Sequence, residues 1–173
     1  MVAIGFKVPG FAPKTQAVLD VLEKTVFAKR GKLYRKLVIE DQKAAWLRVS
    51  NYPKVDEHLF EIWAAGRKVE DLPVIETAVI EALQHVARHG VDSKALRETA
   101  AHMRYAFAAE LGSAKGVASN AAWFVSLSGK ISSINALWDE VARVTPQSLQ
   151  EAAARFFTAA RRTVVTMVPE TQP

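Results

Sequence analysis

The sequence predicts an α+β domain: several helices packed on a small, mainly antiparallel sheet. Three observations carry that expectation. β-type runs stand near both ends of the chain, at Val2–Val8 and 163–168. Two further β-like runs, Ala44–Ser50 and 59–65, follow each other across an Asn-Tyr-Pro break. Between 66 and 162 apolar residues recur at three- and four-residue spacing, the period of helices that bury one face.

The first run ends at Pro9-Gly10, a turn signal. A helix over 14–28 follows from Ala17, Val18, Val21, Leu22 and Val26, with Pro13 in its first turn, where a missing N–H costs nothing. Gly31 separates it from a short helix over 33–40. In the run 59–65, Phe60, Ile62 and Ala64 share one face and Leu59, Glu61 and Trp63 the other. Asn51-Tyr52-Pro53-Lys54 cannot continue a ladder, so this pair of strands is expected to be antiparallel.

In the helical half, Ile75, Val79, Ala82, Leu83 and Val86 form one stripe, which Gly90 stops. Asp92 or Ser93 caps the next helix, with the stripe Leu96, Ala100, Met103, Phe107 and Leu111 ending at Gly112. Looser helical stretches cover 115–127 and 131–142. Thr145-Pro146 then opens a helix with Leu149, Ala152, Ala153 and Phe156 on one face. The β-branched run 163–168 stops at Pro169, and the two terminal strands are expected to close into the same sheet.

A chain of 173 residues that is 50% hydrophobic can bury a core and fits one domain over 1–173, either a fragment or one half of a longer chain. No apolar run is long enough to span a membrane, and MVAIGFKVPG lacks the layout of a secretory leader. The absence of cysteine excludes disulfides, thiolate ligands and a cysteine nucleophile, but selects no compartment: periplasm and cytoplasm both stay open. The net charge of +5 owes much to Lys24, Lys29, Arg30, Lys32, Arg35 and Lys36. Only Tyr34 is interleaved with these as a stacking aromatic, so they read as a solvated face and not as a nucleic-acid site.

No constellation stands as a catalytic site by itself. His58-Leu59-Phe60-Glu61-Ile62 approaches the inverted zinc motif H-x-x-E-H, with isoleucine in place of the second histidine. On a strand its His58 and Glu61 point to opposite faces. Glu81, His85 and His89 lie at four-residue steps on one helix, a spacing that can bring ligands together, yet only His102 remains downstream to complete a site. Ser126-Leu127-Ser128-Gly129 lacks the leading glycine of a nucleophile elbow. Gly112-Ser113-Ala114-Lys115-Gly116 is no phosphate loop and reads as a helix end and a flexible join.

Several blocks, in order, resemble the second-half domain of the pitrilysin/insulinase family of zinc metallopeptidases, the inverzincins that include mitochondrial-processing-peptidase-like proteins. They are VAIGFKVPG, KLYRKLVIEDQKAAWLRVSNYP, LFEIWAAGRKVEDLPVIETAVIEAL, HGVDSKALRETAAHMRYAF and VARVTPQSLQEAAARFFTAARRTVVTMVP, which together span nearly the whole chain. The resemblance implies related domains, two or four per protein, that clasp an enclosed chamber, with the zinc motif in the domain type absent here. It also implies a substrate-contacting arginine and tyrosine in a segment like L-R-x-E-x-x-L-x-Y. Alignment on Leu37 puts Val38 at the arginine and Ala45 at the tyrosine, so both are lost; Trp46, one residue later, is expected to face the other way.

The expectation is therefore a non-catalytic domain, without catalytic, metal or known substrate-binding residues of its own. It would enclose peptide substrate together with a zinc-bearing partner domain, fused upstream or a separate subunit. The zinc belongs to that partner, and no cofactor, nucleic acid or membrane span is expected in this chain. Two rivals stand beside it: an assembly subunit like the peptidase-related core proteins of respiratory complexes, and an autonomous metal enzyme built on Glu81, His85 and His89.

Overall fold

The computed structural model describes residues 1–169; residues 170–173, the end of the expected domain, lie outside the described residues. The element order is β1 (Val2–Val8), α1 (Pro13–Val26), α2 (Lys32–Tyr34) running into a π-helical turn at Arg35–Glu40, β2 (Ala44–Ser50), β3 (His58–Gly66), α3 (Leu72–His89), α4 (Ser93–Glu110), α5 (Ala114–Ser128), α6 (Ser133–Arg143), α7 (Pro146–Phe156) and β4 (Arg162–Thr166). Among the described residues the strands form one sheet in the order β2-β3-β1-β4, and every neighbouring pair is antiparallel. The α+β expectation holds. The first and last strands do pair, with Ile4 opposite Val164.

Period-2 alternation sets the faces of the sheet. Val2, Ile4, Phe6 and Val8 of β1 and Phe60, Ile62 and Ala64 of β3 are almost wholly buried beneath helices. Phe157 closes the centre, edge-on to both Phe6 and Phe60 with ring centroids 5.0 Å apart. Such pairs contribute about 0.5–1.5 kcal/mol beyond their buried area. Helices α3 and α7 pack on each other and both touch β1, while α1 lies between α7 and the outer helices α4 and α6.

That central position explains where the helical stripe of α1 was read too narrowly. Leu19 and Gln16, outside the expected stripe, are buried along with Ala17, Val21 and Leu22, because α1 has packed neighbours on more than one side. Gly90 adopts φ +70° and its N–H reaches the Val86 carbonyl, ending α3 as expected. Asp92 is the cap of α4, its carboxylate accepting from the Ala95 N–H at 2.8 Å. Thr145 and Ser148 cap α7 reciprocally.

Other boundaries moved. The final strand covers Arg162–Thr166 instead of 163–168, although the Met167 N–H still reaches the Met1 carbonyl at 2.8 Å. The expected helix over 33–40 is one α-turn and then a π-helical stretch, with the Asp41 N–H bonded to the Lys36 carbonyl five residues back. The segment 112–116 contains the expected helix end and then a tight turn into α5, where Ser113 Oγ accepts from the Gly116 N–H at 3.0 Å. A Cβ on Gly116 would stand 1.8 Å from the Glu110 carbonyl oxygen, so a side chain there cannot be accommodated without movement.

Candidate functional site

Among the described residues, helices cover one face of the sheet and leave the other open. On the open face lie Leu59 and Val165, 44% and 51% exposed, with Lys7, Arg48 and Thr163 also exposed. Trp46 and Trp63 stand there half-buried. Arg48 is opposite Trp63 in the ladder and its guanidinium sits 5.3 Å from the centre of the Trp46 ring. Trp63 Nε1 donates to Glu61 Oε2 at 3.2 Å. The result is a patch of aromatic and aliphatic surface, with Arg48 and Glu61 each held against a tryptophan, able to hold apolar side chains.

The position of Trp46 corrects the simple alternation argument. The β2–β3 register shifts between Ala44, opposite Gly66, and Trp46, opposite Ala65, so Ala45 is the extra residue of a bulge. Strict alternation does not run across it. Trp46 joins Arg48 and Trp63, while Ala45, at the lost tyrosine position, is exposed. Val38, at the lost arginine position, is half-buried in the π-helical stretch and packs against the core.

The other candidates are not brought together. His58 is buried on the core face with Phe60, and burial holds its imidazole below its ordinary pKa; Glu61 is on the open face. Glu81, His85 and His89 are exposed along α3, with the two imidazoles 4.8 Å apart between centroids. His102 is exposed on α4. Among the described residues no three His, Cys, Asp or Glu side chains gather where they could hold a metal ion. Nor is any helix among them long and apolar enough to cross a membrane.

A second feature lies in the helical layer, where α1, α4, α5, α6 and the β2–β3 turn enclose a groove of about 860 Å³. Sequence reasoning missed it. Asp20, Asn51 and Trp138, three of the side chains that line it, come from segments far apart in the sequence, and the Asn-Tyr-Pro break reads locally only as a turn. The one local signal is that Gln16, Asp20 and Glu23 follow helical spacing beside the apolar stripe of α1.

Similarity to solved structures bears on the open-faced sheet and its helices as a whole. A protease from Helicobacter pylori superposes with TM-score 0.84 at 22% identity over 94% of this chain. The inactive peptidase domain of a zinc protease from Bordetella parapertussis superposes with TM-score 0.81 at 18% identity over 99% of it. This chain has the peptidase-domain fold of the pitrilysin/insulinase zinc proteases. It is also similar in shape to a chain of complex III2 from Candida albicans, with TM-score 0.79 at 14% identity over 94% of this chain. It spans 93% of the Bordetella domain but only 40% of the Helicobacter chain and 41% of the Candida chain. No family model and no curated protein matches the sequence. Among its structural neighbours are two described as inactive peptidase domains, from Bordetella parapertussis and Pseudomonas fluorescens.

Proposed function

We propose that this chain is a single non-catalytic domain of a pitrilysin/insulinase-type zinc endopeptidase, one half of a larger assembly. It forms part of a substrate-enclosing chamber with a zinc-bearing partner domain. The observation that carries this reading is the open sheet face: Leu59 and Val165 stand exposed beside half-buried Trp46 and Trp63, on a fold shared with peptidase domains. Such a face suits the wall of a chamber, where apolar side chains of an unfolded peptide can settle and its backbone can add to a sheet edge. The domain contributes binding and orientation, and the partner's zinc supplies the chemistry.

A peptide-cleavage assay with this domain alone, the zinc-bearing half alone, and both together tests the proposal. The domain alone should be inert, and the combination should cleave far faster than the zinc-bearing half. Full activity from the zinc-bearing half by itself would overturn it. That outcome would favour the second reading, an assembly subunit without proteolytic role, which the likeness to a complex III2 chain supports. Replacing Trp63 by Ser separates the two further, since a chamber wall would lose substrate affinity while an assembly face would lose its partner.

A further inference from the structure

The groove in the helical layer is on the opposite side of the sheet from the open face, so an inference drawn from it stands apart from the chamber reading. Its floor is aromatic: Phe107 and Trp138 stack with centroids 4.5 Å apart, and Phe11 meets Phe124 edge-on at 6.0 Å. At one end three polar side chains converge. Asp20 Oδ1 accepts from Gln16 Nε2 at 2.7 Å and from Asn51 Nδ2 at 2.9 Å. Asn51 is only 7% exposed, and its Oδ1 is buried with no protein partner. Among the described residues, nothing donates a hydrogen bond to the second oxygen of Asp20 either. Trp138 Nε1 is likewise buried and unpartnered.

A buried acceptor without a donor costs roughly 1–3 kcal/mol, and here it stands beside a carboxylate at the end of an aromatic channel. The volume and composition are those of small-molecule sites, apolar walls with a few convergent polar groups. Two acceptors and an aromatic wall call for a compact N–H donor that carries positive charge and continues into an apolar body. We propose that this groove binds an organic amine with an aromatic or aliphatic body, its ammonium held between the Asp20 carboxylate and Asn51 Oδ1 and its body lying along Phe107 and Trp138.

The site is also linked to protons. Burial pushes the Asp20 carboxyl up to about 7, with Glu23 adding to the rise and Gln16, Asn51 and Lys24 opposing it. Around the groove Glu23 and Lys24 on α1 pair with each other at 2.7 Å, Lys29 and Arg30 follow α1, and α4 contributes His102 and Glu110. An ammonium favours the ionised carboxylate, so amine affinity should rise as pH passes upward through the Asp20 pKa.

The experiment is calorimetric titration of the full chain with 4-phenylbutylamine and with 4-phenylbutanol as the neutral counterpart. The amine should bind at one site, at least ten-fold tighter than the alcohol at pH 8, with that advantage falling about ten-fold by pH 5.5. Asp20→Asn should abolish both the advantage and its pH dependence, whereas His102→Gln should leave them. Quenching of tryptophan fluorescence by the amine should weaken in Trp138→Phe, which keeps the aromatic floor, and so place the ligand. Equal binding of amine and alcohol, an unchanged pH dependence in folded Asp20→Asn, or no saturable binding at all would each overturn the proposal.

Discussion

The inner layer and the outer arm of this domain are both built from amphipathic elements, yet they are held to very different degrees. In the inner layer Phe6, Phe60, Ile62, Ile75, Leu83 and Leu149 are essentially inaccessible. In the arm formed by α4 and α5, only Leu96 and Thr99 of the first helix and Phe124 and Leu127 of the second are buried. The arm leaves Tyr105, Leu111, Val117, Trp123 and Val125 exposed. A stripe of correct period therefore guarantees a helix but not a covered helix. The difference lies in what stands opposite: α3 and α7 have the sheet and each other, whereas α4 and α5 face a groove.

The largest test of that contrast is a matched pair of aromatic truncations. Phe60→Ala should destabilise the domain by about 3–5 kcal/mol, because Phe60 is enclosed by Phe27 and Phe157. Trp123→Ala, at a residue 43% exposed, should cost no more than about 1 kcal/mol. Urea midpoints decide it, and equal losses would erase the distinction between layers. Next comes Gly116→Ala, where the clash with the Glu110 carbonyl should cost about 1–3 kcal/mol, taken up within the arm. Hydrogen exchange should then quicken over 93–128 while α3 and α7 keep their protection; a loss spread evenly over the domain would show that the arm is not a separate unit.

A smaller effect links the two regions through α1. The folded state keeps the Asp20 proton up to about pH 7 while the unfolded chain releases it near 3.8. The folded state thus binds more protons across that window, and stability falls as pH rises through it. Asp20→Asn retains the acceptor for Gln16 and Asn51 and removes the buried charge. It should be close to neutral at pH 4 and stabilising by about 1–2 kcal/mol at pH 8, less than the full shift implies because solvent reaches the carboxyl through the groove. Thermal melts across pH show it, and a pH-independent difference would mean that Asp20 does not titrate in this window. Smallest of all, Lys32→Ala in the exposed basic segment should change stability by no more than about 0.5 kcal/mol. A larger loss by the same melts would give that segment a structural part.

Much of the inner layer was legible in the sequence because its signals are local. Phe60, Ile62 and Ala64 declare their face by alternation, Thr145-Pro146 and Gly90 declare helix ends, and the order of blocks carried the family fold. The groove was not legible, since Asp20, Asn51 and Trp138 meet only through tertiary packing. The bulge at Ala45 was hidden for a related reason: an extra residue shows itself only against the partner strand. The π-helical stretch has no compositional mark in RKLVIE that separates it from an α-helix.

The pairing of β1 with β4 also sets a schedule. β1 is an interior strand made before the rest of this domain, but one of its neighbours is β4, the last strand among the described residues, with Met1 bonded to Met167. During synthesis β1 can pair with β3 as soon as that strand emerges, while its other side waits for nearly the whole domain to leave the ribosome. Until then a row of backbone donors and acceptors from Val2 to Phe6 is unpaired on an apolar strand, a template for the wrong strand as much as the right one. This domain is thus most in need of a chaperone late in its own synthesis, and a pause that delays β4 should lower the yield of folded protein more than one placed within the helices.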